Sequence, residues 1–322
     1  MIFDVYGNEV AGVGASPVFG FPEYRKKTVT TIPTTMSAFY ALYDAFLSQT
    51  NVTRNLLGYG SKSDGTQDTT LPIYEYVIGN PIELENENRI SPAPLVLLTS
   101  GVHSDEKTSM MALYNFVASL FDSSNRIATE IRNSMMFRIV PLVNPWGYDH
   151  TTTNNEGRRN ARGVNLNRNF SFNWATNTDT DKGSAAYSEL ETQALKAWLD
   201  EYAPSALFHI DFHNHGMDQS QAYFYTPSNC PKITKIFSAV ARASRPYFES
   251  EYGIDYSGLN RYWENNNIPG LSSECYEILE TDSCIVEVPY GSGVTLSNDY
   301  IRRETEFIGM LISKMVQEYG CL

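Results

Sequence analysis

Pro94-Leu-Val-Leu-Leu-Thr-Ser-Gly-Val-His-Ser-Asp-Glu106 is a run of apolar, strand-forming residues that stops at Gly101 and sets a histidine and a glutamate three positions apart on the turn beyond it. A strand that is apolar nearly throughout must be covered on both faces, the condition of an inner strand in a parallel sheet with helices on either side. The carboxyl end of such a strand is where an open α/β sheet puts its chemistry. At this spacing an imidazole nitrogen and a carboxylate can converge on one small cation. The pair alone reads equally well as a surface turn with a helix-starting acid, so its meaning depends on partners elsewhere in the chain.

Outward from this strand the pattern alternates. Met36, Phe39, Leu42, Tyr43, Phe46 and Leu47 have helical spacing, with Thr35 placed to cap them. Val52 to Tyr59 and Leu71 to Ile78 read as strands around a turn, followed after the central strand by helices over Glu106 to Phe121 and Ser124 to Arg132. Met135 to Leu142 is a second buried strand, and Ser188-Glu-Leu-Glu191 has the form of a capping box opening a helix to about Glu201. Ala206 to His213 and Ser283 to Val288 are further strands, while Ile233 to Phe248 and Asp299 to Tyr319 are amphipathic helices. No linker or repeat divides this alternation. The expected architecture is a single α/β domain over residues 35–322, with a mostly parallel, twisted mixed sheet sandwiched by helices. Residues 1–34, rich in Gly, Pro, Thr and Val without a period, read as an irregular arm on that domain.

A chain of 322 residues has ample core, and its net charge of −13, with no basic stripe, argues against a nucleic-acid partner. The arginines 158, 159, 162 and 168 stand out as a cluster in an acidic protein. Cys230, Cys275, Cys284 and Cys321 form no metal or disulfide framework spacing and are expected as free thiols. The N-terminus lacks a basic region followed by an apolar one, and no apolar run reaches membrane-spanning length, so no membrane association is expected and the default location is cytoplasmic.

Three apolar strands end in polar groups that a core would not tolerate: His103 with Glu106, His213, and Glu287. In a parallel sheet their carboxyl ends share one edge, so these residues can meet. Two imidazoles and one carboxylate are a donor set for a single zinc ion that keeps a position open for water. Glu287, inside Cys-Ile-Val-Glu-Val, would be costly to bury unless paired or open to a cleft, and is placed to serve as a general base. A structural ion pair with arginine is the plainer alternative. Glu274 competes for the role of base, but Ser272-Ser-Glu-Cys-Tyr-Glu-Ile-Leu reads as a helix start with an acid in its first turn.

The segment Gly157-Arg-Arg-Asn-Ala-Arg-Gly-Val-Asn-Leu-Asn-Arg-Asn-Phe170 resembles the G-R-x-N-x-x-G-x-D-L-N-R-N-F segment of the zinc metallocarboxypeptidases, and Gly-Val-His-Ser-Asp-Glu and Ile-Asp-Phe-His-Asn-His resemble that family's two ligand motifs in the same order. The resemblance implies an α/β domain hydrolysing the peptide bond before a C-terminal residue, with a peptide bearing a free carboxylate as partner. Carried over by position, it implies His103, Glu106 and His213 as zinc ligands and Glu287 as the base. Arg158 would stabilise the oxyanion, and Asn167 and Arg168 would grip the substrate carboxylate. Guanidinium suits both tasks, through two-pronged pairing and fixed positive charge. A tyrosine covering the substrate is assigned by the same resemblance to Tyr262, with Tyr256 behind it. Asn165 stands where the family has Asp; behind a ligand histidine, an amide orients the ring without raising its basicity as a carboxylate does, with Asp105 and Asp211 near enough in sequence to compensate. Related readings are cleavage of a cell-wall stem peptide, hydrolysis of a small N-acyl amino acid, and peptide binding without turnover.

Overall fold

The computed structural model describes residues 28–79, 93–151, 156–215, 269–289 and 298–318, with shorter pieces at 2–3, 9–10, 82–84, 89–91, 223–226, 230, 232–236, 239–240 and 262–264. Eight of its strands form one sheet: β1 (Val52–Ser61), β2 (Gln67–Gly79), β3 (Leu95–Ser100), β4 (Met136–Val140), β5 (Ala206–His215), β6 (Tyr223–Thr226), β7 (Tyr262–Glu264) and β8 (Ser283–Pro289), in the order β7-β6-β8-β5-β3-β4-β2-β1. The central strands β8, β5, β3 and β4 run parallel, whereas β6 joins β8, and β2 joins β4 and β1, antiparallel. The expected single α/β domain with a mixed sheet flanked by helices is the fold observed. Two further two-stranded pairs lie outside this sheet, Ile2–Phe3 with Glu9–Val10 and Ile82–Leu84 with Arg89–Ser91.

Every residue of β3 is buried, as its composition requires, and alternate side chains serve opposite faces. On one face Val96, Leu98, Phe137, Ile139, Phe208, Ile210, Phe212, Cys284 and Val286 meet helices α1 (Met36–Asp44), α2 (Lys107–Ser119), α3 (Arg126–Ser134) and α5 (Asn298–Glu318). On the other, Leu95, Leu97 and Val140 meet α4 (Leu190–Tyr202) through Leu195, Trp198 and Leu199, joined by Leu166, Phe170, Leu271 and Cys275. Each fully buried side chain of this kind contributes about 1.5–3 kcal/mol. The second apolar cluster stops short of the carboxyl edge. There the same face carries Thr99, His209, Asp211, His213, Ser283 and Glu287 instead.

Local signals largely select these elements. Thr35 caps α1, its Oγ1 accepting from Ala38 N at 3.2 Å. Gly101 ends β3 with φ 66°, a left-handed turn where a Cβ would meet Leu142 Cδ1 and Met110 Cε at 3.1 Å. The capping box is not realised. Glu189 stands at the N-cap of α4 with no side-chain cap bond, because Glu191 is drawn inward to accept from Ser61 N and Oγ, each at 2.9 Å. The tertiary contact satisfies a buried carboxylate and outweighs the local one. Of the helix expected over Ile233 to Phe248, residues 232–236 and 239–240 are helical and the rest lies outside the described residues. Cys230, Cys275 and Cys284 are free and buried, and Cys321 lies outside the described residues. Among the described residues no helix is long and apolar enough to cross a membrane.

Candidate metal and catalytic centre

The turn released by Gly101 carries His103 and Glu106 over the carboxyl edge of β3, and His213 arrives from β5, two strand positions past Asp211, which pairs with Thr99 of β3. Glu106 occupies the N-cap position of α2 but makes no side-chain cap bond. Its carboxylate is committed elsewhere. Oε1 lies 2.9 Å from His103 Nδ1, and Oε2 lies 2.8 Å from His213 Nδ1 and accepts from Asn214 N at 2.9 Å. One donor atom from each of His103, Glu106 and His213 falls within 4.8 Å of the others. The two rings meet edge to face with centroids 4.9 Å apart.

The outer nitrogens decide the tautomers. His103 Nε2 faces Asn165 Oδ1 at 3.0 Å, an oxygen fixed as the acceptor because Asn167 N also donates to it. His213 Nε2 faces Asp211 Oδ2 at 2.7 Å. Both Nε2 atoms therefore carry protons, and it is the two Nδ1 atoms that face the Glu106 oxygens. Arg158 Nη1 donates to His103 Nδ1 at 3.2 Å, in keeping with that assignment, and lies 3.5 Å from Glu106 Oε1. Two imidazole lone pairs around one carboxylate are a donor set that a cation completes, and the type and number suit zinc with a coordination position left over.

Electrostatics concur. Burial alone would lift the Glu106 carboxyl, but the two imidazoles draw it well below the ordinary carboxylate range. Burial presses the His213 imidazole down, yet Asp211 and Glu106 hold it well above 6.5. His103 goes the other way, lowered by burial against the pull of Glu106. Glu287 sits beside His213 in the parallel register of β8 and β5. Burial and then the charge of Glu106 push its carboxyl up to about 8, opposed by His213 and Arg158. A dication at the neighbouring donors would oppose it further. Asp105, between the two ligand positions of the turn, is raised by burial and by Glu106, and its Oδ1 has no hydrogen-bond partner.

The structure thus brings together His103, Glu106, His213, Arg158 and Glu287. Asn167 and Arg168 are next to the centre but engaged with protein. Asn167 is buried, its Oδ1 accepting from Leu271 N at 3.0 Å, and Arg168 pairs through Nε with Asp179 Oδ2 at 2.7 Å and through Nη1 with Asn167 O at 2.9 Å. Tyr262 belongs to β7, but its side chain, and all of Tyr256, lie outside the described residues. Glu274 is a scaffold: buried in a π-helical turn, it accepts from Ser171 N, Ser171 Oγ, Phe172 N and Tyr187 Oη, tying the arginine segment to residues 271–278. Three groups escaped the sequence reading. Thr99 and His209 form part of the polar face behind His213, and Asn214 supports Glu106 through its backbone. The two-residue alternation His209, Asp211, His213 was the available signal for the first two.

Comparison with known proteins places this geometry in context. Residues 72–268 match the family model described as zinc carboxypeptidase, a span that ends before Glu287. The zinc carboxypeptidase A 1 of Drosophila melanogaster is 26% identical over 186 residues, 52% of this chain and 42% of its own length. Mast cell carboxypeptidase A of Homo sapiens is 28% identical over 203 residues, 58% and 46% of the two lengths. A protein of Sclerotinia sclerotiorum named as an inactive metallocarboxypeptidase is 23% identical over 248 residues, 69% of this chain and 41% of its own length. The chain thus spans less than half the length of these curated relatives. In fold it is similar to the carboxypeptidase A of Helicoverpa armigera, with a TM-score of 0.66 at 20% identity over 90% of this chain and 74% of that one. Thrombin activatable fibrinolysis inhibitor gives 0.67 at 17% identity over 95% and 80%.

Proposed function

Because the chain belongs to the zinc carboxypeptidase family, whose model matches residues 72–268, we propose that it is a metallopeptidase removing C-terminal residues from peptides. The observation that carries the reading is the convergence of His103 Nδ1, Glu106 and His213 Nδ1 on one point, with Glu287 beside His213 and Arg158 against His103. One zinc ion held by that set would supply a Lewis acid and acidify a water.

The chain's own groups divide the remaining work. Glu287, ionised once a cation at the neighbouring donors draws its raised carboxyl down, takes a proton from the attacking water and delivers it to the leaving amine. Arg158 offers a fixed guanidinium to the oxygen on which negative charge grows. Asn167 and Arg168 receive the substrate's terminal carboxylate, Arg168 exchanging its pairing with the exposed Asp179 for the incoming anion. The cover over the bound residue is assigned to Tyr262 by the family resemblance alone. Residues 35–322 are assigned to the catalytic domain. Of the segment before it, residues 28–34 lie against that domain, Val29 exchanging hydrogen bonds with Asn115 of α2 at 2.7 and 2.9 Å, and most of residues 1–27 lie outside the described residues.

The test is a set of blocked peptides differing in the last residue, incubated with and without a zinc chelator, beside the same peptides with an amidated C-terminus. Release of the last residue, abolished by chelation and by amidation, is expected. Turnover of amidated peptides or of small N-acyl amino acids in preference would redirect the assignment to another amide hydrolysis, and cleavage confined to stem peptides would narrow the substrate to cell wall. Peptide binding without product would identify a binder, a reading favoured by Asn165 behind His103 and by the likeness to a relative named inactive.

A further inference from the structure

The two imidazoles that face Glu106 are backed by groups of unequal charge. Behind His103 is the neutral amide of Asn165; behind His213 is the carboxylate of Asp211, fully buried. Taking His103, Glu106 and His213 as the zinc ligands, we propose that Asp211 sets the metal affinity of this centre: the negative partner that makes a ligand histidine a stronger donor has been placed on the His213 side, and a hydrogen-bond chain running away from the metal holds it there.

Proton counting gives the direction of that chain. Asp211 Oδ2 accepts from His213 Nε2 at 2.7 Å, and Oδ1 accepts from Thr99 Oγ1 at 2.7 Å. A hydroxyl has one proton to give, so Thr99, having given it to Asp211, must accept at its 2.9 Å contact with His209 Nε2. That makes His209 the Nε2-protonated tautomer, with Nδ1 free to accept from Ser283 Oγ at 2.9 Å. Ser283 in turn lies 2.8 Å from Ser272 Oγ. Ser272, Ser283, His209 and Thr99 thus point their protons one after another toward Asp211, the single anion of the row. All are buried. With one oxygen satisfied by Thr99, the other is aligned on His213, and at this depth neither oxygen can be left without a partner at little cost. Asn165 orients His103 equally well but brings no charge, so the two ligands are not equivalent donors. Asp211 and His209 act through His213 and are positioning residues.

The experiment measures zinc affinity by competition with a chromophoric chelator, in full-length protein whose fold is checked by circular dichroism. Asp211→Asn should weaken zinc binding by about 10–100-fold, the usual cost of losing such a partner. The pair Asp211→Asn with Asn165→Asp should recover most of that loss, because the charge reappears behind the other histidine. Zinc affinity within twofold of the unaltered chain in folded Asp211→Asn, or a double variant no tighter than the single one, overturns the proposal. Should Asp211→Asn not fold, Asn165→Asp alone decides: a several-fold gain in affinity supports the proposal, and none or a loss overturns it. Glu106→Gln guards the underlying reading. If that variant binds zinc as tightly as the unaltered chain, the ligand assignment itself fails; if it loses zinc while Asp211→Asn does not, only the present inference does.

Discussion

Strand β5 presents Phe208, Ile210 and Phe212 to one side of the sheet and His209, Asp211 and His213 to the other, alternate residues of a single ten-residue segment. The first set packs against helices and stabilises the fold. The second set is equally buried yet polar, and each member is satisfied by a specific neighbour on β3, β8 or the turn after Gly101, with Asp211 and His213 also paired to each other. A period of two therefore lets one strand anchor the core and supply chemistry without mixing the tasks. The polar side is held at a cost in stability that the apolar side offsets.

If that division is real, substitutions on the two sides must fail in different ways. The largest effect is expected from Glu287→Gln: turnover falls by about 10²–10⁴-fold with zinc still bound. The same variant should melt higher than the unaltered chain when both are metal-free at pH 7–8. The sign follows from the raised carboxyl: between the ordinary 4.5 and about 8 the folded chain keeps a proton that the unfolded chain releases, so this group's contribution is lost as pH rises through that window. A lower melting point would break the comparison. On the opposite side, Phe208→Ala should cost roughly 3–5 kcal/mol in denaturant unfolding while kcat of the folded fraction stays unchanged.

A smaller effect separates the sides by pH. Burial, partly countered by Asp211, lowers His209 from 6.5 to about 4. The unfolded chain then binds a proton that the folded one refuses, so stability is full above 6.5 and falls as pH drops toward 4, by about 3 kcal/mol in all. Melting curves from pH 7 to 4 should show that slope, flattened in His209→Gln. Smallest is Thr35→Ala, about 1 kcal/mol from a lost helix cap, with no change in activity or metal affinity; an effect on either would mean that α1 communicates with the centre.

The apolar side was largely legible in the sequence, because strand and helix periods and the Gly101 stop are local. His103, Glu106, His213 and Glu287 were legible too, since polar residues at the ends of apolar strands announce themselves. What the pattern did not disclose depends on register between strands. Thr99 meets Asp211, and His209 meets Ser283, only because β3, β5 and β8 align as they do. Ser188 with Glu191 satisfied a local capping rule that the contact of Glu191 with Ser61 overrides. Arg168 could be named from the motif but not aimed, because its pairing with Asp179 is a choice among surface acids.

The arginine segment illustrates how irregular backbone can be firmly held. Asn160 donates to Glu189 and Glu191, Arg162 pairs with Glu189, Arg159 with Asp181, and Asn169 bonds Lys182 O, Ala185 O and Ser188 Oγ, while Leu166 and Phe170 are fully buried. A stretch offering trypsin the bonds after Arg158, Arg159, Arg162 and Arg168 should therefore survive digestion intact in the native protein. A protease needs several residues of pliable chain to thread its cleft, and here each arginine is fastened to something that would have to let go.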